Sequence, residues 1–166
     1  LRQLAASGLI ALRPHRSPII VSLDIARLRD MFDVMAELEA LCAARCSVAM
    51  NASERFELEK HHISMSACVR AGDVTAYRQA NVDFHTLIYE GSHNAYLKQL
   101  ALSTRERLAP HRGVQLQAPT RLAQSYAEHQ EIVTAILRAK PSNASNAMRK
   151  HLAITQETLA QIAAQN

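Results

Sequence analysis

The segment NVDFHTLIYEGSHNAYL, residues 81–97, carries the pattern that decides the fold. Its apolar residues recur at the spacing of one helix face from Phe84 to Ile88, and the pattern stops at Gly91. Asn94 is then a suitable N-cap for the next helix, because its side chain can accept a backbone hydrogen bond. The segment therefore predicts two helices joined by a short loop.

The same helical spacing continues in both directions along the chain. The predicted helices run from Asp24 to about Met50, Ser53 to Ala71, Asp73 to Gly91, Asn94 to just before Gly113, Pro119 to about Leu137, and about Asn143 to the end. Asp24, Ser53 and Asp73 are taken as N-caps, and Gly72 is taken as a helix stop. Ser53 has no capping box, because Phe56 stands three residues later. Pro141 is taken as the break before the last helix. Six helices with short loops predict an all-α antiparallel bundle.

The composition agrees with a helical domain and excludes several classes of protein. The chain of 166 residues is 48% hydrophobic, with only four glycines and five prolines. No apolar run reaches the ~20 residues of a membrane span, and no signal peptide is evident, so a soluble cytoplasmic protein is expected. The cysteines, Cys42, Cys46 and Cys68, include no CxxC pair and are expected to be apolar core residues.

The first 23 residues do not fit the bundle, and we expect them to form a unit separate from the helical domain of residues 24–166. They contain three arginines and no acid, so three of the four net positive charges of the chain lie in this segment. A helix end over residues 1–7, stopped by Gly8, precedes two short predicted strands over residues 9–12 and 19–23. A basic helix and hairpin of this kind is typical of the second half of a winged helix; an irregular N-terminal arm is the alternative. The candidates for DNA contact are Arg2, Arg13, His15 and Arg16.

Four side chains on three predicted helices are candidates for a metal site. Asn81 and His85 are four residues apart, so they project from the same helix face and can reach one ion. His129 and His151 lie on the fifth and sixth predicted helices, among apolar residues that should face inwards. Facing helices of a bundle can bring such groups together. From the residues alone, histidines that are hydrogen-bonded in the core remain the alternative.

Five segments, taken in order, resemble the FadR-like branch of the GntR superfamily of transcription regulators, whose C-terminal domain is called FCD. They are LRQLAASGLI (1–10), MFDVMAELEALCAARC (31–46), NVDFHTLIYEGSHNAYL (81–97), SYAEHQEIVTAI (125–136) and AMRKHL (147–152). The resemblance implies a homodimeric regulator that binds operator DNA through a winged helix-turn-helix, most of which would precede Leu1. Pro14 and Pro18 stand where glycines are usual in the wing.

The resemblance also implies a metal site. FCD domains carry an acid or amide four residues before a histidine, in the pattern D/N-x-x-F-H, and further histidines in the fifth and last helices. The matching residues are Asn81, His85, His129 and His151. Three imidazoles and one oxygen suit zinc as the first choice, with nickel, cobalt and manganese as alternatives. Asn81 in place of an aspartate removes a negative charge and should weaken binding.

A small carboxylate effector, bound in a cavity around the metal, is implied by the same resemblance. Arg105 is the first candidate to bind its carboxylate, followed by Arg149 and Ser125, because guanidinium groups form bidentate pairs with carboxylates. Arg105 belongs to a basic segment, residues 98–121, that also contains Arg107, Arg112 and Arg121. A solvated face, or pairing of these arginines with Glu106, Glu128 and Glu131, is the alternative. Met35 stands where many FCD sequences have an arginine, so a less anionic or differently placed ligand is expected.

Two other functions stay open beside the regulator. A histidine-bound ion with open positions could activate water in a metal-dependent enzyme, although no general base stands at a recognisable spacing from the ligands. In a pure metal sensor, the ion itself would be the signal. Glu59 and His62 have the Glu-x-x-His spacing of di-iron bundles, but the chain contains one such motif only. Residues 57–62 are therefore expected on a solvated helix face.

Overall fold

Six α-helices and one hairpin form the part of the chain that the computed structural model describes, which is residues 10–13, 16–20, 25–112, 114–118 and 120–164. The strands are β1 (Ile10–Arg13) and β2 (Arg16–Ile20). The helices are α1 (Ile25–Ala49), α2 (Ala52–Ala71), α3 (Val74–Gly91), α4 (Ala95–Arg112), α5 (Arg121–Leu137) and α6 (Pro141–Ala164), with a 3-10 turn (Val114–Gln117) before α5. The predicted all-α fold of the helical domain is confirmed. None of these helices has the length and apolarity of a membrane span.

α1 is the central helix of the bundle. It packs along α6 over the most extensive interface and also contacts α3, α4 and α5. Its buried face carries Phe32, Met35, Cys42 and Cys46. With position 39, which is also buried, they form a stripe whose successive members are three or four residues apart. The expectation that Cys42 and Cys46 belong to the core is confirmed, whereas Cys68 is only half-buried.

The first turns of α2, α3 and α4 are capped by side chains. α2 begins one residue before the predicted start, because Asn51 and not Ser53 is its N-cap. Asn51 Oδ1 accepts a hydrogen bond from Glu54 N at 3.0 Å, and Glu54 Oε2 accepts one from Asn51 N at 2.8 Å. This is the capping box that the choice of Ser53 had excluded. Asp73 and Asn94 cap α3 and α4 as predicted, each accepting a backbone N–H three residues on, at 2.9 and 3.0 Å.

The starts of α5 and α6 differ from the prediction. The 3-10 turn was not foreseen, and α5 begins at Arg121. Pro119, the predicted first residue of that helix, and Asp24, the predicted cap of α1, lie outside the described residues. Pro141 opens α6 instead of separating the two helices. A proline fits the first turn because its φ is already helical and its missing N–H has no partner there.

The hairpin pairs its two strands antiparallel, with Ile10 opposite Ile20 and Arg13 opposite Arg16. β2 begins three residues before the predicted strand and contains Pro18. A two-stranded hairpin consists of edge strands only, so the N–H that proline lacks can be one that would face solvent. The predicted strand began too far along the chain because the prediction placed Pro18 in the turn.

Several sequence predictions for the N-terminal unit fall outside the described residues. These are the helix end over residues 1–7, its stop at Gly8, and the candidate DNA contacts Arg2 and His15. The boundary placed at residue 23 falls there too. The winged helix therefore remains a prediction, for which the hairpin supplies one expected element.

Gly91 is needed for close helix packing. A Cβ at this position would lie 2.2 Å from Met50 Cε and 3.0 Å from Cys46 Sγ, so the end of α3 can approach α1 only without a side chain. Gly91 lies within α3, and Ser92 is the C-cap. Gly72, by contrast, ends α2 as predicted, with a left-handed φ of 64°.

We expect Gly91→Ala to lower the free energy of unfolding by about 1–3 kcal/mol, because the new methyl group overpacks the contact with Met50. Urea denaturation measures the change. In a Met50→Ala background the same substitution should cost clearly less, since the overlapping side chain is gone. An equal cost in both backgrounds would contradict this explanation.

Candidate metal centre

Three buried histidines from three helices meet in the core. They are His85 of α3, His129 of α5 and His151 of α6, none more than 2% exposed. Each offers one ring nitrogen, and the three nitrogens lie within 4.8 Å of one another. The structure therefore brings together three of the four side chains that the sequence singled out.

Two carboxylates hold the rings of this cluster. His85 Nδ1 lies 2.5 Å from Glu39 Oε2, and His151 Nδ1 lies 2.6 Å from Glu128 Oε2. In each pair the imidazole donates its Nδ1–H to the carboxylate, which leaves Nε2 with a free lone pair. Metal-binding histidines have this arrangement, because the outer acceptor fixes the tautomer and makes the ring a better ligand.

Three further ring nitrogens of the cluster lack partners among the described residues. These atoms are His85 Nε2 and both ring nitrogens of His129. A buried polar atom without a hydrogen bond costs about 1–3 kcal/mol, so several at one place call for an ion or water. Two nitrogens bound to one Zn²⁺ at about 2.0–2.1 Å each lie within about 4.2 Å of each other. The nitrogens here, which lie within 4.8 Å, need only small side-chain movements to reach that spacing. The residues present thus fit a divalent ion.

Burial keeps the three imidazoles neutral. Desolvation lowers the pKa of His85 and of His129 well below 6.5, and it lowers the pKa of His151 as well. His151 and His85 lower the pKa of His129 further, because a charge on one ring opposes a charge on the next. The neutral ring is the form that binds metals.

Glu39 connects the cluster to two buried arginines. Its Oε1 accepts hydrogen bonds from Arg105 Nη1 at 3.1 Å and from Arg112 Nη1 at 3.3 Å. Burial alone would raise the pKa of Glu39, but His85 and the two guanidinium groups hold it well below its usual range. Glu39 is therefore a buried carboxylate anion whose neighbours are one metal-site histidine and two cations.

A second buried ion pair supports His151. Arg121 Nη1 and Nη2 donate to the two oxygens of Glu128 at 3.1 and 3.0 Å, a bidentate pair. Arg121 also donates to Thr155 Oγ1 at 3.2 Å and to Gln115 Oε1 at 2.7 Å. Arg121 is therefore engaged by Glu128, the alternative that sequence analysis had left open for the arginines.

A cavity of about 210 Å³ lies between α3 and α4 and shares residues with this network. Asn81, Arg105 and Arg112 line it, and the exposed side chains of Arg78 and Glu106, which carry opposite charges, complete its charged lining. Arg105 and Arg112 are more than nine-tenths buried, yet Glu39 is their shared carboxylate partner, so two cations face one anion. Desolvation, together with the charge of Arg105, lowers the pKa of Arg112 to about 10. An anion in the cavity would offset this excess of buried positive charge.

Residues 30–154 match the family model of the FCD domain. The chain belongs to the FCD domain family. The predicted resemblance to FCD domains is thereby confirmed, and membership of this family supports a regulator domain and not an enzyme.

Solved structures share the fold of this FCD domain at low sequence identity. Escherichia coli McbR/YncC has a TM-score of 0.84 and 15% identity, over 96% of this chain and 81% of that chain. Streptococcus agalactiae GntR has a TM-score of 0.68 and 22% identity, over 94% and 78%. A metal-free FCD domain, from TM0439, has a TM-score of 0.71 and 16% identity, over 88% and 100%. Among curated proteins, no sequence matches the chain.

The other predicted site residues of this FCD domain lie in three different environments. Asn81 is buried one turn before His85, where its backbone oxygen accepts a hydrogen bond from Arg105 Nη2 at 3.4 Å; its role as a fourth ligand stays a prediction. Ser125 is buried one turn before His129, with a hydroxyl oxygen that lacks a partner among the described residues.

Arg149 lies on the outer surface. It is exposed and donates from Nε and Nη2 to the two carboxylate oxygens of Glu37 on α1, at 2.8 and 2.9 Å. It does not line the cavity between α3 and α4. We therefore leave Arg149 out of the effector site proposed below.

Sequence analysis missed Glu39, Glu128 and Arg112 as members of the site. A signal for Glu39 was present in the sequence. It lies four residues after Met35 and three before Cys42 on the buried face of α1, where a charged residue requires a partner. Arg112 was noted only as part of a basic segment. Its Nη1 lies 3.2 Å from Met35 Sδ, so a guanidinium group from α4 lies beside the position where the resemblance implied an arginine.

The solvated face predicted for residues 57–62 is wrong at His62, which is 1% exposed. His62 Nε2 lies 3.1 Å from Tyr126 O, and the ring stacks on Tyr126 with centroids 4.3 Å apart. Leu58 and Met65 are buried on the same face of α2. Their spacing from His62, four and three residues, was the available signal.

We expect the metal-free domain to lose stability as the pH falls from about 7 to about 5. The folded-state pKa values of the three histidines lie below the unfolded value of 6.5, so the unfolded state takes up more protons in this range. Each fully shifted histidine then costs about 1.4 kcal/mol per pH unit below 6.5. Urea unfolding at several pH values measures the slope.

His129→Leu should make this slope shallower by about one proton. His93→Ala is the matched control, since His93 is exposed and pairs with Glu54 at the surface. An unchanged slope in His129→Leu would contradict the burial of a neutral His129.

Proposed function

We propose that this FCD domain is the sensing part of a GntR-type transcription regulator, in which a divalent metal and a small carboxylate effector bind side by side. One observation carries the proposal: three buried neutral imidazoles direct ring nitrogens towards one point, and carboxylates hold the Nδ1 atoms of two of them. Hydrogen-bonded core histidines would leave no such group of unpartnered nitrogens.

His85, His129 and His151 would hold the ion, with the amide oxygen of Asn81 as the predicted fourth ligand. Nitrogen ligands favour zinc, and nickel, cobalt and manganese remain alternatives. When bound, the ion supplies a fixed positive charge that attracts an anionic effector and offers it open ligand positions. The protein contributes the orientation of the rings through Glu39 and Glu128.

The cavity between α3 and α4 is the proposed effector site. Its volume of about 210 Å³ is roughly that of seven water molecules, which suits an acid of a few carbon atoms. Arg105 and Arg112 would bind the carboxylate, since guanidinium groups match it in shape and charge. Ser125, predicted as a further contact, belongs to the adjoining buried region next to His129.

Regulation would follow from a shift between two arrangements of a homodimer. The winged helix-turn-helix would bind operator DNA in the cytoplasm, with the β1–β2 hairpin as its wing and Arg13 and Arg16 among its predicted DNA contacts. The predicted contacts Arg2 and His15 belong to the same unit. An effector changes DNA binding only if it prefers one arrangement of the dimer over the other.

The metal site is tested by titrating the metal-free protein with Co²⁺ or Zn²⁺. We expect one ion per chain, and replacement of His85, His129 or His151 by alanine should weaken binding by more than about 100-fold, because each removes a direct ligand. His93→Ala, at an exposed histidine, should bind as the wild type does. A wild type that binds no ion, or a triple variant that still does, refutes the site.

The regulatory role is tested with the full-length protein and the DNA upstream of its own gene. We expect a mobility shift that a panel of small carboxylic acids alters when the metal is bound, and that His129→Ala makes insensitive to them. A response to metal without any response to acids would favour a pure metal sensor. Absence of DNA binding would refute the regulator.

A further inference from the structure

The carboxylate of Glu39 has two sets of partners, one on each oxygen. Oε2 accepts the hydrogen bond from His85 Nδ1 at 2.5 Å. Oε1 accepts from Arg105 Nη1 at 3.1 Å and from Arg112 Nη1 at 3.3 Å. The side chain is fully buried, so solvent does not weaken these contacts.

The arginines that hold Oε1 also form part of the cavity wall. A ligand carboxylate that paired bidentately through Nη1 and Nη2 of either arginine would need the Nη1–H groups that now contact Glu39. Arg105 Nη1 also donates to Tyr89 OH at 3.2 Å, a contact that the guanidinium group can keep when it leaves Glu39. Because two cations share one anion, a second carboxylate is electrostatically favoured here, but it competes with the first for hydrogen bonds.

We infer that Glu39 is an internal competitor of the effector: it occupies Arg105 and Arg112 in the ligand-free domain and yields them to a ligand carboxylate, while it keeps its hydrogen bond to His85. This inference rests on the proposed effector site and assigns Glu39 as a positioning residue that couples that site to the metal ligands. It explains why a charged residue lies at a core position of α1.

The exchange couples the two ligands in a defined direction. While the arginines hold Glu39, they neutralise part of its charge. Once they turn to the ligand, Glu39 keeps its full charge beside His85, which makes that imidazole a stronger metal ligand. Carboxylate binding therefore strengthens metal binding, and by linkage the metal strengthens carboxylate binding equally.

Glu39→Gln tests the inference in the metal-free and Co²⁺-loaded chain, with propionate as the probe and propionamide as its neutral control. Glutamine preserves the shape but removes the competing charge. We expect propionate to bind the metal-free variant about tenfold more tightly than the wild type. Co²⁺, followed by its visible absorption, should bind the variant about tenfold more weakly. A purely structural Glu39 would predict that both ligands bind more weakly.

Coupling is measured by repeating the Co²⁺ titration with saturating propionate. In the wild type we expect propionate to tighten Co²⁺ binding by about fivefold or more, and in Glu39→Gln we expect this enhancement to fall at least about twofold, to the part that direct attraction between the ion and propionate supplies. Direct attraction or ligation alone would give the same enhancement in the variant and the wild type. An undiminished enhancement in Glu39→Gln, or propionate binding that this substitution weakens or leaves unchanged, overturns the inference.

Two further variants keep the test decisive if Glu39→Gln unfolds. Arg112→Gln should weaken propionate binding by about tenfold and tighten Co²⁺ binding by up to about threefold, because Glu39 loses one of the two cations that neutralise it. Glu37→Gln is the matched control, because Glu37 is an exposed glutamate of the same helix and should affect neither ligand. Circular dichroism and thermal melts establish that each variant is folded.

The outcomes also separate this inference from the proposed function. If the wild type binds no Co²⁺, the proposed metal site fails, while the propionate affinities of the metal-free proteins still decide whether Glu39 competes. If neither the wild type nor Glu39→Gln binds propionate, the inference is overturned, and Co²⁺ binding by the histidines stands by itself.

Discussion

The hydrogen bond between His85 Nδ1 and Glu39 Oε2 is the contact on which the rest of the centre depends. A carboxylate as fully buried as that of Glu39 is stable only with charged or hydrogen-bonded partners. His85 supplies one partner, and Arg105 and Arg112 supply the others. Through this one side chain, α1 is joined to α3 and α4. Glu39 orients His85 and also contacts the two arginines that line the cavity.

The other half of the centre repeats this physical arrangement. Glu128 holds His151 Nδ1, and Arg121 neutralises Glu128 and reaches the 3-10 turn through Gln115. In both halves a carboxylate orients an imidazole and an arginine balances the carboxylate. Apolar residues of similar volume would often stabilise such a core as well or better, since buried ion pairs are expensive to desolvate. A role in ligand binding accounts for the polar core more directly than stability does.

The local sequence was sufficient to predict most helix boundaries. It was insufficient where two neighbouring residues could both serve as the cap, or where one residue can either end or begin a helix. Asp73, Asn94 and Gly72 were predicted correctly because each is the one strong cap or stop signal at its position. Asn51 competed with Ser53 as a cap. Pro141 can either end a helix or begin one, and only the packing of the following residues determines which happens.

The sequence by itself determined that the chain forms a helical bundle with histidines on inward faces, because helical periodicity is a local property. The choice of His85, His129 and His151 as a group came from the family resemblance, and the structure then brought them together. Only the tertiary structure decided the partners of Glu39, which lie 46 and 66 residues away in His85 and Arg105. Spacing along one helix gives the face of a residue, but the opposing side chain depends on how separate helices pack.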